Sequence, residues 1–265
     1  MRIAVVGAGN MGSWLVESLC LDYEVGVYDA DRNRLKYFFN TRKFMYLEEL
    51  VEFGPDMLIN AVSLENTVKV FEELVPYLDK DCILADITSV KSGLNTYYQA
   101  AGRRFVSTHP MFGPTFANVK NLKEENAIII SESDEEGKEF FRQFYSRLKL
   151  RIHEYSFEEH DQTIAYSLSV PFASTLVFAS CMKEQEAPGT TFRKHSEIAK
   201  GLMGEDDFLL SEILLSPYSL QQIEKIQESI AELTDMIRDR NTSGLREYFA
   251  KLRTNIGMEE GKGRK

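Results

Sequence analysis

Three glycines near the start of the chain have a spacing that can cradle phosphate. In "RIAVVGAGNMG", Gly7, Gly9 and Gly12 form a GxGxxG directly after four consecutive apolar residues, Ile3 to Val6. A helical pattern with Met11, Trp14, Leu15 and Leu19 on one side follows them. In such a strand-turn-helix, the first glycine makes the tight turn, the second lets a pyrophosphate approach the backbone, and the third lets helix and strand pack closely. The helix N-terminus offers unpaired N–H groups and the positive end of its dipole to the phosphates. The next strand, "YEVGVYDAD", ends at Asp29, twenty residues after Gly9, where a carboxylate can accept the hydroxyls of an adenosine ribose. A carboxylate there repels a 2′-phosphate and favours NAD over NADP, whereas the neighbouring Arg32 can accommodate that phosphate. Asn10, Met11 and Ser63 complete the expected cofactor set.

The second candidate is a histidine at the tip of a strand. The chain has four histidines, and "RRFVSTHPMFGP" runs as an apolar strand into His109 before turning at Pro110, Gly113 and Pro114. Another strand, "ADITSVKSG", ends with Thr88, Ser89 and Lys91. Ligands of open α/β sheets bind beyond the carboxyl ends of the strands, so two parallel strands would bring Ser89 and His109 to one rim. A neutral imidazole there can take a proton from a hydroxyl while the adjoining carbon gives up hydride, a task suited to an unperturbed pKa of about 6.5. His109 is therefore the expected base, with Pro110 fixing how the chain turns away.

The elements that must position these residues alternate. "PDMLINAVS", "DCILADITS", "RRFVSTH" and "NAIIIS" read as short buried strands, separated by helical segments such as "NTVKVFEELVPYL" and "DEEGKEFFRQFYSRL". Continuous apolar strands between helices predict a Rossmann-type, doubly wound parallel sheet over residues 1–155. Beyond Tyr155 everything reads as helix, and residues 156–255 form an expected all-helical second domain. In "SLQQIEKIQESIAELTDMIRDR", Leu220, Ile223, Ile226, Ile230, Leu233 and Ile237 make an amphipathic stripe. "TSGLREYFAKL" is a shorter helix, capped by Thr242 or Ser243. The stretch Ile164 to Cys181 is apolar enough to want burial on nearly all sides, as a core helix or a dimer seam. Residues 256–265 have nothing to bury and are expected to be disordered.

Composition narrows the classes. A chain of 265 residues with 43% apolar content can bury a full core. The net charge of -10 opposes nucleic acid, because phosphate binding needs clustered Lys and Arg. Three widely spaced cysteines without a CxxC argue against a disulfide framework or a metal site and fit a reducing cytoplasm. No basic leader precedes the first strand, and no apolar stretch is expected to approach the roughly 20 residues that span a bilayer, so no membrane role is expected. The apolar surface of the helical domain predicts a homodimer.

"GAGNMG" with Asp29, then "DITSVK", "STHPMFGP" and "EEHD" before a long apolar helix, resembles the prephenate dehydrogenase family of tyrosine biosynthesis, including its arogenate-using members. The likeness runs over about the first 215 residues. It implies NAD-dependent oxidative decarboxylation of prephenate to 4-hydroxyphenylpyruvate, with His109 acting on the ring hydroxyl and Ser89 hydrogen-bonded to that hydroxyl or to His109. Lys91 would support the loop or contact an anion, and His160 with Asp161 would line the cleft or cap the helix.

Two departures stand out. Many members carry a serine-histidine-leucine-proline-histidine run where this chain has "LSVPF", with Ser169 and Phe172 at the histidine positions. The arginine expected to hold a substrate carboxylate falls at Glu197 or Gly201, leaving Arg193, His195 or Lys200 to supply the charge. A related reductase of another small substrate, or a nicotinamide-sensing protein without chemistry, are the competing readings.

Overall fold

The computed structural model describes residues 1–113 and 122–258. Pro114 and residues 259–265 of the expected tail lie outside the described residues. The chain divides into two compact units, Met1–Ile164 with Glu205–Ile213, and Ala165–Gly204 with Leu214 onward.

The first unit is a sheet covered on both faces. Its strands are β1 (Arg2–Val6), β2 (Glu24–Tyr28), β3 (Arg42–Lys43), β4 (Met57–Asn60), β5 (Ile83–Asp86), β6 (Phe105–Pro110), β7 (Asn126–Ile130) and β8 (Arg151–Tyr155). Between them run α1 (Asn10–Leu19), α2 (Glu49–Phe53), α3 (Thr67–Leu74), α4 (Leu94–Ala101) and α5 (Glu135–Arg147). The order across the sheet is β3-β2-β1-β4-β5-β6-β7-β8. From β1 the chain winds outward to β3, then returns to add β4, β5 and β6 on the other side, all parallel. The reversal of winding leaves a crevice beyond the carboxyl ends of β1 and β4, where such sheets bind ligands.

Alternation along each strand assigns its side chains to the two faces. Ile3, Val5 and Ile59 pack with Leu15 and Leu19 of α1 and Phe141 and Phe144 of α5. Ala4, Val6 and Leu58 pack with Phe53 of α2, Phe71 of α3 and Tyr98 of α4. Burial on both faces explains why these strands are uninterrupted apolar runs. One detail departs from an all-parallel sheet: β7 is antiparallel to β6, pairing His109 with Ile128, and β8 is parallel to β7.

The helices that follow are α6 (Phe157–Cys181), α7 (Thr190–Leu202), α8 (Asp207–Leu214), α9 (Ser219–Arg238) and α10 (Thr242–Asn255). The first turns of α6 belong to the sheet unit, so the compact division falls at Ile164 and not at the end of β8. At 25 residues α6 is long and apolar enough to cross a membrane by length and composition, against the sequence expectation. Its polar start, "FEEHDQT", and Pro171 shorten the uninterrupted apolar run within it. In the second unit, Ser169 of α6 and Ser219 of α9 share a buried 2.7 Å hydrogen bond. Asn241, not Thr242 or Ser243, caps α10, its Oδ1 accepting the Gly244 N–H at 2.9 Å.

Candidate active site

The glycine turn has the shape a pyrophosphate needs. Gly7 has φ of +95°, and a Cβ added there would stand 2.7 Å from the Ala61 carbonyl carbon. A Cβ on Gly12 would stand 1.8 Å from the Gly7 oxygen, so any side chain would push α1 off β1. Gly9 differs: the nearest atom to its added Cβ is Arg34 Nη1 at 3.8 Å. Gly7 and Gly12 are fixed by internal packing, whereas Gly9 is compatible with a side chain and faces open space at the start of α1. That open cradle fits a dinucleotide. Asn10 is exposed in the first turn of the helix and Met11 packs partly into the core. Ser63, exposed just after β4, accepts a 2.9 Å hydrogen bond from Asn66 Nδ2.

Asp29, immediately after β2, is nearly buried, accepting the Ala8 N–H on Oδ2 at 2.6 Å and the Asp31 N–H on Oδ1 at 2.8 Å. The expected contribution of Arg32 to this site is not seen. Its guanidinium donates to the Met45 carbonyl at 3.1 Å and lies over the Tyr46 ring at 5.1 Å. Arg34, which the sequence reading passed over, approaches Asp29 instead, with Nη1 3.7 Å from Oδ2.

At the other rim, β5 and β6 run parallel with Asp86 beside Ser107, and the chain reaches Ser89 and His109 just beyond. No hydrogen bond joins those two among the described residues. The partner of His109 is His160, from the first turn of α6: Nδ1 of His109 lies 3.1 Å from Nε2 of His160, and His160 Nδ1 lies 3.0 Å from Asp161 Oδ1. The carboxylate can only accept, which fixes both tautomers. His160 donates from Nδ1 to Asp161 and accepts on Nε2 from His109 Nδ1–H. The remaining nitrogen of His109, Nε2, carries a lone pair and has no hydrogen-bond partner among the described residues. Burial, then the His160 and Lys91 charges, hold the His109 pKa well below its usual value, so the ring is neutral at pH 7. Burial also lowers His160, with Asp161 opposing. The arrangement is a neutral base with a fixed lone pair and a carboxylate two hydrogen bonds behind it.

Lys91 supports this site from within. Its side chain is fully buried, Nζ donating to Asp86 Oδ1 at 2.6 Å, Thr88 Oγ1 at 3.3 Å and the Thr108 carbonyl at 2.8 Å. With all three donors used it is not open to an anion, and the loop-support reading is the one its geometry fits. The bond to Thr108 secures the residue just before His109. Asp86 also accepts from Thr88 Oγ1 at 2.8 Å and Tyr98 OH at 2.8 Å. Burial alone would raise its carboxyl, but the Lys91 charge and the hydrogen bonds outweigh it and hold it below the usual range. Asp86 and Tyr98 were missed from the sequence; the acid at the end of "ILAD" was the available signal.

In the helical unit, Arg193 and Lys200 are seven residues apart on α7 and line one open cavity with Lys183, Glu184, Ser196 and Glu197. His195 bonds to the Thr191 carbonyl at 3.0 Å and packs on Phe178, and His153 bonds to Asn126 at 3.0 Å. Both have structural partners. Among the described residues no group of His, Cys, Asp or Glu could hold a metal.

Residues 29–152 match the family model described as prephenate dehydrogenase, nucleotide-binding domain. A probable arogenate/prephenate dehydrogenase of Methanocaldococcus jannaschii is 22% identical over 78% of this chain and 49% of its own length. Arogenate dehydrogenase 1, chloroplastic, of Arabidopsis thaliana is 24% identical over 91% of this chain and 40% of its own. The chain thus spans about half the length of these curated relatives. Among solved structures, prephenate dehydrogenase from A. aeolicus in complex with hydroxyphenyl propionate and NAD+ superposes with a TM-score of 0.82, at 19% identity over 97% of both chains.

Proposed function

The chain is a relative of the prephenate and arogenate dehydrogenases, and we propose that it catalyses the NAD-dependent oxidative decarboxylation of prephenate to 4-hydroxyphenylpyruvate in tyrosine biosynthesis. The observation that carries this reading is the unpaired Nε2 of His109, oriented by His160 and Asp161 at the end of β6, in a sheet whose glycine turn fits a dinucleotide. The backbone around Gly9, Asn10 and Met11 binds the pyrophosphate, Asp29 receives the ribose, and Ser63 borders the crevice. When bound, the nicotinamide supplies a hydride acceptor.

His109 takes the proton of the ring hydroxyl on Nε2 as the C–H bond of the same carbon gives up its electron pair. The ring carboxylate leaves as carbon dioxide, its bonding pair completes the aromatic ring, and His109 returns the proton to the phenolate oxygen. Ser89 donates to that oxygen. His160 is a positioning residue: it passes the stabilising effect of Asp161 to the imidazolium while the proton is held. Arg193 and Lys200, on the open cavity within the helical unit, are the cations proposed for a substrate carboxylate, with Lys200 a less exacting clamp than an arginine fork. Arogenate is the second reading, favoured by Glu197 in the cavity with those cations, since a carboxylate there suits an amino-acid ammonium.

The protein acts as a homodimer in this reading. Tyr166 of α6 is 66% exposed, and Leu220 and Ile237 of α9 are 63% and 60% exposed, an apolar surface that a second copy would cover. Its three cysteines are free, which suits a cytoplasmic enzyme.

The test is formation of reduced nicotinamide, followed by absorbance, with NAD or NADP and with prephenate and arogenate offered separately. Turnover that vanishes in His109→Asn at unchanged cofactor affinity supports both reaction and base. Tight NAD binding without turnover of either substrate refutes the dehydrogenase and leaves a reductase of another substrate or a nicotinamide sensor.

A further inference from the structure

The guanidinium at the mouth of the dinucleotide crevice belongs to Arg34. Its Nη1 stands 3.7 Å from Asp29 Oδ2 and its Nε 3.8 Å from Asp31 Oδ2, so it bridges the two carboxylates that follow β2. The same Nη1 is the one atom within 4 Å of the position a Cβ would take on Gly9. Arg34 therefore borders both the turn that must hold the pyrophosphate and the carboxylate that must meet the adenosine ribose. Its side chain is 55% exposed, and neither ion pair is at hydrogen-bonding distance, so little holds it against a stronger anion. Arg32 is closer to Asp29 in sequence but is committed to the Met45 carbonyl and the Tyr46 ring.

We propose that Arg34 reads the 2′ position of the adenosine ribose and gives this site a usable affinity for NADP beside its affinity for NAD. The inference rests on the dinucleotide reading of the glycine turn. With a free 2′-hydroxyl, Asp29 accepts the hydroxyl and Arg34 stays beside the carboxylate. With a 2′-phosphate, the guanidinium turns to the phosphate oxygens, where its planar fork binds two at once and offsets the repulsion from Asp29. Asp29 alone would exclude the phosphorylated cofactor. Asp29 and Arg34 together admit it.

The experiment is calorimetric titration of the full chain with NAD+, NADP+ and the fragment 2′,5′-ADP, for wild type, Arg34→Ala, Arg34→Lys and Arg32→Ala. Arg34→Ala should weaken NADP+ and 2′,5′-ADP at least about tenfold, the loss of charge-assisted hydrogen bonds, and change NAD+ by less than about threefold. Arg34→Lys should recover only part of the loss, and Arg32→Ala should leave the ratio of the two dinucleotides within about twofold. Equal weakening of both dinucleotides by Arg34→Ala overturns the proposal, as does a selective loss in Arg32→Ala. So does a wild-type protein that binds NAD+ and refuses 2′,5′-ADP at millimolar concentration. A wild type that binds neither dinucleotide overturns the cofactor reading of the glycine turn along with it.

Discussion

Replacing His160 by leucine tests the chain from His109 to Asp161 directly. The side chain is fully buried, so leucine fills most of its space but leaves the Nδ1–H of His109 without its acceptor at 3.1 Å. With no substrate bound this strands one neutral buried donor, worth about 1–3 kcal/mol of stability. In the proposed reaction, while His109 holds the substrate proton, the same hydrogen bond is charge-assisted and carries the influence of Asp161. Losing about 1.5–3 kcal/mol there lowers kcat roughly 10- to 150-fold. Asp161→Asn keeps an acceptor for His160 but removes the charge, and should fall between wild type and His160→Leu. The assay is steady-state kcat and kcat/KM across pH, with NAD affinity measured separately to exclude a general collapse of the site. Because His109 is held well below its usual pKa and works as the neutral form, wild-type kcat/KM should stay flat as pH falls through 6.5 and decline only below it. A His160→Leu kcat within about twofold of wild type, or an acid limb at or above pH 6.5, would refute the reasoning.

Two other perturbations separate architecture from binding. Gly12→Ala puts a Cβ 1.8 Å from the Gly7 oxygen and should unfold at a markedly lower temperature, whereas Gly9→Ala meets nothing nearer than 3.8 Å and should melt like wild type while losing dinucleotide affinity; comparable melting losses in both would contradict this division. Lys91→Met leaves Asp86 buried without its cation and should cost about 3–5 kcal/mol in urea unfolding at pH 7. In wild type the depressed Asp86 stabilises the fold above its unfolded pKa and loses that contribution as pH falls. In Lys91→Met, burial is opposed only by the hydroxyl hydrogen bonds and raises the folded pKa, so the penalty is full at neutral pH and fades as the carboxyl takes up its proton. The gap between the two proteins should therefore narrow toward acid, and a gap independent of pH would count against the buried ion pair.

The parts of the site readable from sequence were those specified by local chain geometry. Gly7, Gly9 and Gly12 declare themselves because a strand, a turn and a helix in succession leave room for nothing larger at two of the three positions. Asp29 and His109 were legible because apolar strands end at them. What escaped depends on which way a side chain turns. Arg32 and Arg34 both follow Asp29, and only the short helical turn Arg34–Tyr37 decides which guanidinium swings back to it. Lys91 read equally as loop support or anion contact, because the depth of its burial is set by Asp86 and by a carbonyl 17 residues away on β6. The pairing of His109 with His160 spans 51 residues and requires α6 to begin beneath the sheet, which no periodicity announces. The reversed direction of β7 was hidden for a similar reason: "NAIII" is buried on both faces, and an apolar run carries no direction.

The charges around His109 divide its work between two states. With no substrate bound, burial and the Lys91 cation keep the ring from protonating, which guarantees an available lone pair but leaves a weak base. A weak base helps little unless its conjugate acid is stabilised at the moment the proton arrives. Asp161 is placed to do this through His160, and it is only 33% exposed, so water screens it incompletely. Lys91 is meanwhile paired chiefly with Asp86 on its own side of the strand end, with Asp161 contributing a smaller attraction. In the proposed reaction two carboxylates thus chiefly serve two cations that exist at different times: Asp86 a permanent ammonium that holds the strand end, and Asp161 an imidazolium that lasts only as long as His109 keeps the substrate's proton.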